Sequence, residues 1–194
     1  EINKILAIEG LKYSGEGSSH HLLDVLRKDA GADDIKGLVK VPLDGFKFAA
    51  HYGCHVLRPS VIGRPDDSEN PHLIEDLTIA LGAKTDLYPE RLDCCGANLV
   101  VNDPETSFKM TGEKLKAVQA QEFDGMVTVC PFCHKMYDAK QGAVKNILGD
   151  DTIELPVIYY TQLLGLAMGI GQEALGINFN LSPVDVLLEK LEVD

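Results

Sequence analysis

The sequence contains no tryptophan, and it has no run of more than two consecutive basic residues. Its 194 residues carry a formal net charge of −12, and the sequence pI is about 4.8. Proteins that bind nucleic acid or anionic membranes nonspecifically normally carry the opposite charge, so we expect neither class of partner. The acidic balance is better explained by solubility and by the steering of protein partners.

Segments typical of membrane insertion or secretion are also lacking. The longest apolar stretch near the C-terminus covers residues 163–170, whereas about 20 residues are needed to span a bilayer. No basic segment followed by an apolar one opens the chain, so we expect no secretory signal. Because the first residue is Glu1 rather than methionine, we also expect that processing or truncation has removed an upstream part.

The five cysteines are an odd number for a disulfide framework, which usually has an even count in a smaller secreted chain. Without a secretory signal, we expect reduced thiols in the cytoplasm.

Short apolar segments alternate with segments of helical periodicity along most of the chain. The predicted strands cover residues 46–52, 84–88, 125–129 and 155–160. The predicted helices cover residues 71–81, 104–123, a segment from Pro131, 161–168 and 183–191. This order predicts an α/β fold with a mostly parallel sheet flanked by helices. The hydrophobic content of 45% suits one core, in a domain at 41–194 behind a helical lead-in segment at 1–40.

The lead-in segment has helical apolar spacing at Ile2, Ile5, Leu6 and Ile8. Ser18 or Ser19 is predicted to cap a second helix that ends near residue 28. Four apolar residues of that helix are expected to face a core: Leu22, Leu23, Val25 and Leu26.

The cysteines follow predicted strands, in the order Cys54, then Cys94-Cys95-Gly96, then Cys130-Pro131-Phe132-Cys133. In such sheets ligands bind beyond the carboxyl ends of the strands. Three separate segments are therefore expected to bring thiols to one edge of the sheet.

Thiolates are soft ligands that suit iron–sulfur clusters, zinc and copper(I). One helical turn places Cys130 and Cys133 on the same side, and the helix start lowers thiol pKa values. Gly96 allows a tight bend after two adjacent ligands. A zinc ion or a cubane cluster needs four ligands. The fifth cysteine could bridge irons, act as a redox thiol or be a bystander, and a thioredoxin-like dithiol at Cys130 and Cys133 would leave three cysteines unexplained.

The local sequences around the cysteines resemble the cysteine-rich CCG domain of the B subunit of heterodisulfide reductase, most closely its C-terminal half. The matching strings are HYGCHVLRPS (51–60), LDCCGA (92–97), VCPFCHKMYD (129–138), LPVIYYTQLLGLAMG (155–169) and PVDVLLEK (183–190).

This resemblance implies an iron–sulfur enzyme of two CCG repeats, each holding a noncubane [4Fe-4S] cluster through five cysteines. The clusters face each other across a disulfide such as CoM-S-S-CoB, which is reduced to two thiols. Electrons arrive from the iron–sulfur C subunit and the flavin A subunit of the complex, in methanogenesis if the source makes methane. Carried over to this chain, the ligands are Cys54, Cys94, Cys95, Cys130 and Cys133. His55 matches a histidine beside the substrate sulfurs and is the candidate proton donor.

The chain departs from this family because it has a single set of cysteines. It is therefore expected to be the C-terminal half of a two-repeat subunit, or to work with a second chain, and to be inactive alone. Two alternatives stay open. One is an electron-transfer or complex-forming CCG module, as in glycolate, lactate and glycerol-phosphate oxidoreductases. The other is a structural zinc domain built on Cys130, Cys133 and two further thiols.

Several polar residues near the cysteines are secondary candidates. His134 is expected either to donate to a sulfur or to be a surface histidine. His51 is expected to be a core or edge residue with its hydrogen bonds made. Three cations could bind anionic groups of a thiol cofactor, although solvated surface charge is the favoured interpretation: Arg58, Arg91 and Lys135. An apolar stripe is explained by core packing, part of which could contact a partner protein: Tyr159, Tyr160, Leu163, Leu164 and Met168.

Overall fold

A computed structural model describes residues 1–61 and 65–191 of the chain. Its sheet has three parallel strands in the order β1 (Phe48–His51), β2 (Gly125–Thr128) and β3 (Val157–Tyr159). Phe48 lies opposite Gly125, and His51 lies opposite Thr128. The strands are short apolar segments that are buried on both faces, as is usual where helices cover a parallel sheet.

Helices surround this sheet in the described part of the chain. They are α1 (Ile2–Leu6), α2 (Leu22–Val25), α3 (Gly31–Gly37), α4 (Cys54–Leu57), α5 (Leu73–Ala80), α6 (Pro104–Ala120), α7 (Pro131–Ala139), α8 (Gln141–Leu148), α9 (Tyr160–Ala167) and α10 (Asp185–Leu191). A π-helical turn continues α2 at Leu26–Ala30, and 3-10 turns lie at Ala7–Glu9, Pro89–Leu92, Ala97–Leu99 and Ile177–Phe179. No helix within 1–61 or 65–191 has the length and apolar character that crossing a membrane requires.

The two faces of the sheet bury separate apolar clusters, because successive strand residues point to opposite sides. Phe48 and Ala50 pack against α5, α9 and α10. Ala49 and Met126 pack against α6, α7 and α8. The predicted α/β fold is confirmed, with the sheet as the middle of three layers.

The predicted strand at 84–88 is wrong. Lys84 makes a single isolated bridge to Lys47, and the chain then enters the 3-10 turn that begins at Pro89. Leu87 is exposed, so the apolar residues of this segment do not form a continuous buried face. Cys94 and Cys95 therefore follow a 3-10 turn rather than a strand.

The lead-in segment also differs from its prediction. α2 begins at Leu22, and the cap is His21, whose Nδ1 accepts a hydrogen bond from the Leu23 backbone N–H at 3.2 Å. The serines predicted as caps lie outside the helix. Of the predicted core residues, Leu23 is buried and Leu26 is partly buried, whereas Leu22 and Val25 are exposed. Ile2, Ile5 and Ile8 of the first turns are exposed as well.

Helix α6 is the longest helix in the described ranges, and its sequence explains both its start and its close packing. Asp103 caps it by accepting from the Thr106 backbone N–H at 3.1 Å, and Pro104 occupies the first turn. Gly112 faces α8, where an added Cβ would approach Val144 Cγ1 to 2.7 Å. The absence of a side chain at this position thus sets the distance between the two helices.

Replacing this glycine tests the packing. Gly112→Ala should lower the free energy of unfolding by about 1 kcal/mol, because overpacking costs about 1–3 kcal/mol and alanine returns about 1 kcal/mol of helix propensity. Gly142→Ala in α8 is the matched control, since nothing lies within 4 Å of its Cβ position. The control should be neutral or more stable by up to about 1 kcal/mol. Denaturant unfolding measures both, and equal stabilities of the two variants would contradict the packing argument.

Candidate metal centre

All five cysteines line one cavity of about 280 Å³. It lies beyond the carboxyl ends of β1 and β2, and it is also lined by His55, Ala97, Asn98 and Phe132. No disulfide joins the thiols; Cys95 and Cys133 are buried, while the other three are half-buried. The predicted gathering of three segments at one edge of the sheet is what the structure shows.

Cys54 reaches the cavity because Gly53 lets the chain turn sharply after β1. Gly53 has φ of 74°, a conformation that L side chains rarely adopt. A Cβ at this position would also approach Cys130 Cβ to 2.9 Å and Cys133 Sγ to 3.4 Å. Glycine therefore allows the first cysteine segment to lie directly against the third.

The Cys94-Cys95 loop is held by side chains from one face of α6. Ser107 Oγ donates to the carbonyl oxygen of Gly96 at 2.8 Å, and Thr111 Oγ1 donates to that of Cys95 at 2.8 Å. Lys114 Nζ donates to the carbonyl oxygen of Asp93 at 2.9 Å. The three side chains are spaced by four and three residues, which places them on one side of a helix.

Sequence reasoning missed this face of α6. The signal that could have found it is a set of three side-chain hydrogen-bond donors at helical spacing, in the first α-helix after the Cys-Cys-Gly loop. Gly96, by contrast, was predicted to bend the chain, and it has φ of 83°. A Cβ at Gly96 would meet the carbonyl oxygen of Ser107 at 2.5 Å, so the loop lies against α6 without a side chain between them.

The Cys-x-x-Cys pair opens α7. Cys130 is the N-cap residue and Pro131 occupies the first turn. The pKa of Cys130 is lowered to about 5. The largest cause is a hydrogen bond with Cys133, and hydrogen bonds from the backbone N–H groups of Cys133 and Phe132 lower the pKa further. A hydrogen bond with Cys133 likewise lowers the pKa of Cys95 to about 7.

The pKa values of Cys133 and Cys54 are shifted in the opposite direction. Its hydrogen bonds to Cys130 and Cys95 raise the pKa of Cys133 strongly. Burial, and then the neighbouring charges of Cys94 and Cys95, raise the pKa of Cys54. At neutral pH the cavity therefore holds thiolate at Cys130 and partly at Cys95, with the Cys133 proton shared between them.

The two histidines that directly follow cysteines take different positions. His55 follows Cys54 in α4, is exposed and lines the cavity, as predicted from the sequence. His134 is buried, so its interpretation as a surface residue is wrong. Its Nδ1 lies 3.1 Å from Thr128 Oγ1, its Nε2 lies 3.8 Å from Asp138 Oδ2, and its ring stacks on Tyr159. Both ring nitrogens thus face oxygen atoms rather than a sulfur.

Arg91 was expected at the surface, and this expectation is wrong. It is buried, donating to the carbonyl oxygen of Pro71 at 2.6 Å and to Glu75 Oε1 at 3.0 Å. Glu75 also accepts from the hydroxyl of Tyr52. Arg91 is thereby committed to the fold and is not placed to bind an anionic ligand. Arg58 and Lys135 are exposed, and Arg58 donates to the carbonyl oxygen of Ser68 at 3.3 Å.

His51 and two residues of the apolar stripe belong to the interior, as expected, whereas Tyr159, Leu164 and Met168 are half-buried. His51 is buried and forms a 3.0 Å hydrogen bond with Lys114 Nζ, although its Nε2 has no protein partner among the described residues. Tyr160 and Leu163 are fully buried in the core cluster.

Comparison with known proteins identifies the domain. Residues 48–138, which include all five cysteines, match the family model of the cysteine-rich domain CCG. Over this range the chain is similar to the CCG domain, and its predicted resemblance to the B subunit of heterodisulfide reductase is confirmed by curated relatives of that name.

Three relatives illustrate the range of similarity. The B subunit of the ferredoxin/F(420)H(2)-dependent CoB-CoM heterodisulfide reductase of Methanosarcina acetivorans is 37% identical over 92% of this chain and 59% of its own length. A protein of Archaeoglobus profundus that is named as like the B subunit of heterodisulfide reductase is 32% identical over 98% and 64%. The 8-methylmenaquinol:fumarate reductase membrane anchor subunit of Wolinella succinogenes is 35% identical over 93% and 63%. The chain thus spans about three fifths of the length of these relatives.

A solved structure supports the fold alone. The crystal structure of a hypothetical protein from Helicobacter pylori matches 93% of this chain and 32% of its own, with a TM-score of 0.68 and 14% sequence identity.

The thiol pKa values give a direct test of the site. In metal-free, reduced protein, Cys130 should reach half its maximal rate of alkylation by iodoacetamide near pH 5, because the thiolate is present above its lowered pKa. Cys54 is the internal control and should reach half its maximal rate only above pH 9, because its pKa is raised from the ordinary value of 9.0. Cys133→Ala removes the hydrogen bond and should move the Cys130 profile to higher pH. Peptide mass spectrometry after timed alkylation measures all three, and coinciding profiles of Cys130 and Cys54 would show the geometry to be wrong.

Proposed function

We propose that this chain is an iron–sulfur catalytic subunit, or the C-terminal half of one, of a heterodisulfide reductase. It would hold one noncubane [4Fe-4S] cluster through Cys54, Cys94, Cys95, Cys130 and Cys133 and reduce a disulfide such as CoM-S-S-CoB. The observation that carries the proposal is that five thiols from three segments line one cavity.

The chemistry of the donors fits such a group. Thiolates are the usual ligands of iron–sulfur clusters, and five of them exceed the four that a zinc ion or a cubane cluster takes. In the described ranges, no three His, Cys, Asp or Glu side chains are placed to hold a single metal ion, whereas the five thiols surround a shared volume. The lowered pKa values of Cys130 and Cys95 favour the thiolate form that a metal requires.

The reaction takes two electrons and two protons, breaks the S–S bond and yields two thiols. A bound cluster supplies the electrons. The five cysteines would hold the cluster as its ligands, and His55 at the rim of the cavity would donate a proton from an imidazole nitrogen to a leaving thiolate. Phe132, which is 71% exposed at the same rim, offers an apolar surface to the substrate.

The partners follow from the same proposal. Residues 41–194 would form one CCG repeat behind the lead-in segment at 1–40, and a second repeat would come from the same or another chain. The iron–sulfur C subunit and the flavin A subunit of a heterodisulfide reductase would deliver the electrons, in a cytoplasmic complex that serves methanogenesis. Relatives named as subunits of reductases support this arrangement.

A second candidate function is electron transfer or complex formation without disulfide cleavage. The observation that favours it is the 35% identity to a protein named as a membrane anchor subunit of a fumarate reductase. In this case the cysteines would hold the same cluster, and His55 would have no substrate to protonate.

Metal analysis tests the cluster. Protein prepared without oxygen should contain about four iron and four sulfide per chain. Replacing any one of the five cysteines with serine should lower the iron content, because each is a ligand. Iron, sulfide and zinc assays measure this, with thermal unfolding as the control for folding. Zinc as the sole metal at one per chain would refute the proposal, and undiminished iron in one variant would remove that cysteine from the ligand set.

Substrate addition separates the two candidate functions. CoM-S-S-CoB should change the EPR spectrum of the oxidised cluster if the disulfide binds there, whereas no response to any disulfide favours electron transfer. In the assembled complex, His55→Gln should slow disulfide reduction by about 10²-fold, the lower range for loss of a general acid. His20→Gln, at an exposed histidine of the lead-in segment, is the matched control and should leave the rate unchanged.

A further inference from the structure

Lys114 is the sole fully buried lysine in the described ranges, with 2% of its surface exposed. Its Nζ forms hydrogen bonds with three groups: the carbonyl oxygens of Arg91 at 3.1 Å and Asp93 at 2.9 Å, and His51 Nδ1 at 3.0 Å. Burying an ammonium group is costly unless hydrogen bonds and opposite charge compensate it. The three acceptors supply the hydrogen bonds but no full negative charge.

The opposite charge near Lys114 comes from Asp93 and from the cysteine site. No carboxylate forms an ion pair with Lys114 among the described residues. Burial has the largest effect and lowers the pKa of Lys114 to about 8. The charges of Asp93, and then of Cys133, Cys95 and Cys94, act in the opposite direction and raise this pKa. The group is therefore mainly a cation at neutral pH, and three of the four groups named as raising its pKa are candidate ligands.

His51 does not share this charge. An ammonium group has no acceptor, so Lys114 donates to His51 Nδ1, and Nδ1 must be unprotonated. Burial and the Lys114 charge lower the pKa of His51 well below its ordinary value, which agrees with a neutral ring. The pair thus places one positive charge, at Lys114 Nζ, next to the Cys94-Cys95 segment.

We propose that Lys114 is a positioning residue of the cysteine site, which fixes the Cys94-Cys95 segment and offsets the negative charge of the thiolates and of a cluster bound to them. The inference rests on the proposed function and deepens it. The hydrogen bonds fix the peptide groups that precede Cys94. The charge favours the more negative, reduced form of a bound cluster and so raises its reduction potential.

Two substitutions separate charge from packing. Lys114→Gln removes the positive charge but keeps an N–H donor, whereas Lys114→Arg keeps the charge. Lys116→Gln is the matched control: Lys116 lies on the same helix, is half exposed and pairs with Asp150 at 2.7 Å, away from the cavity. The readout is the reduction potential of the bound cluster, from an EPR-monitored titration. Iron and sulfide content accompany it.

At a fixed poise potential, Lys114→Gln should lower the ratio of reduced to oxidised cluster about tenfold, which corresponds to about 59 mV for a one-electron couple. Lys114→Arg should stay close to the wild type, and Lys116→Gln should match it. A Lys114→Gln potential equal to that of the wild type would overturn the inference. If glutamine is not accommodated, Lys114→Met gives the same comparison. If Lys114→Arg folds and neither Lys114→Gln nor Lys114→Met does, the positive charge is required for folding rather than for the cysteine site. That result would also overturn the inference.

A measurement without a cluster keeps the two proposals apart. In the metal-free protein, hydrogen–deuterium exchange reports how firmly the Cys94-Cys95 segment is held, since Lys114 donates to the carbonyl oxygens of Arg91 and Asp93. Lys114→Met, which has no donor, should speed exchange of the backbone N–H groups of this segment about tenfold, whereas Lys116→Gln should not. If the wild type binds no iron and sulfide, the proposed function fails, yet this exchange rate still decides the role of Lys114. Unchanged exchange in Lys114→Met would overturn the further inference alone.

Discussion

The parallel pairing of β1 with β2 is the constraint on which the rest of the site depends. The strands end side by side, with His51 opposite Thr128. The chain therefore leaves both strands at the same edge, and Cys54 and Cys130 follow within three residues of the strand ends. Only a glycine fits between them, since a side chain at Gly53 would collide with Cys130. The register of one strand pair thus determines how far apart two of the three cysteine segments can lie.

The third cysteine segment has no strand to position it, and its place is fixed by side chains instead. Ser107, Thr111 and Lys114 of α6 each donate to a backbone carbonyl of the loop at 93–96. Such hydrogen bonds are worth about 0.5–1.5 kcal/mol each when neutral and more when charged. Together these hydrogen bonds position the loop, as backbone hydrogen bonds between paired strands position a strand end. The site therefore combines sheet geometry on one side with helix-borne side chains on the other.

The sequence predicts the sheet-borne half of this arrangement better than the helix-borne half. The strands around 46–52, 125–129 and 155–160 are short apolar runs, each followed directly by a turn or a helix start, so both their type and their order could be inferred. Ser107, Thr111 and Lys114 form a polar helical stripe, which ordinarily faces water. Arg91 was assigned to the surface for a similar reason, because its partner Glu75 is distant in sequence and buried. In both cases the burial depends on tertiary contacts that local periodicity does not encode.

The ion pair of Arg91 with Glu75 has a consequence for how this site can change over evolutionary time. Tyr52 and Arg91 lie shortly before Cys54 and Cys94, and both donate to the same carboxylate. Replacing any one of Tyr52, Glu75 and Arg91 leaves a buried polar group without its partner. The effects of substitutions at these three positions on stability are therefore not additive. The three positions therefore form an epistatic unit: substitutions there are tolerated as a set rather than singly. Two cysteine-bearing segments that are distant along the chain thus depend on the same carboxylate, that of Glu75.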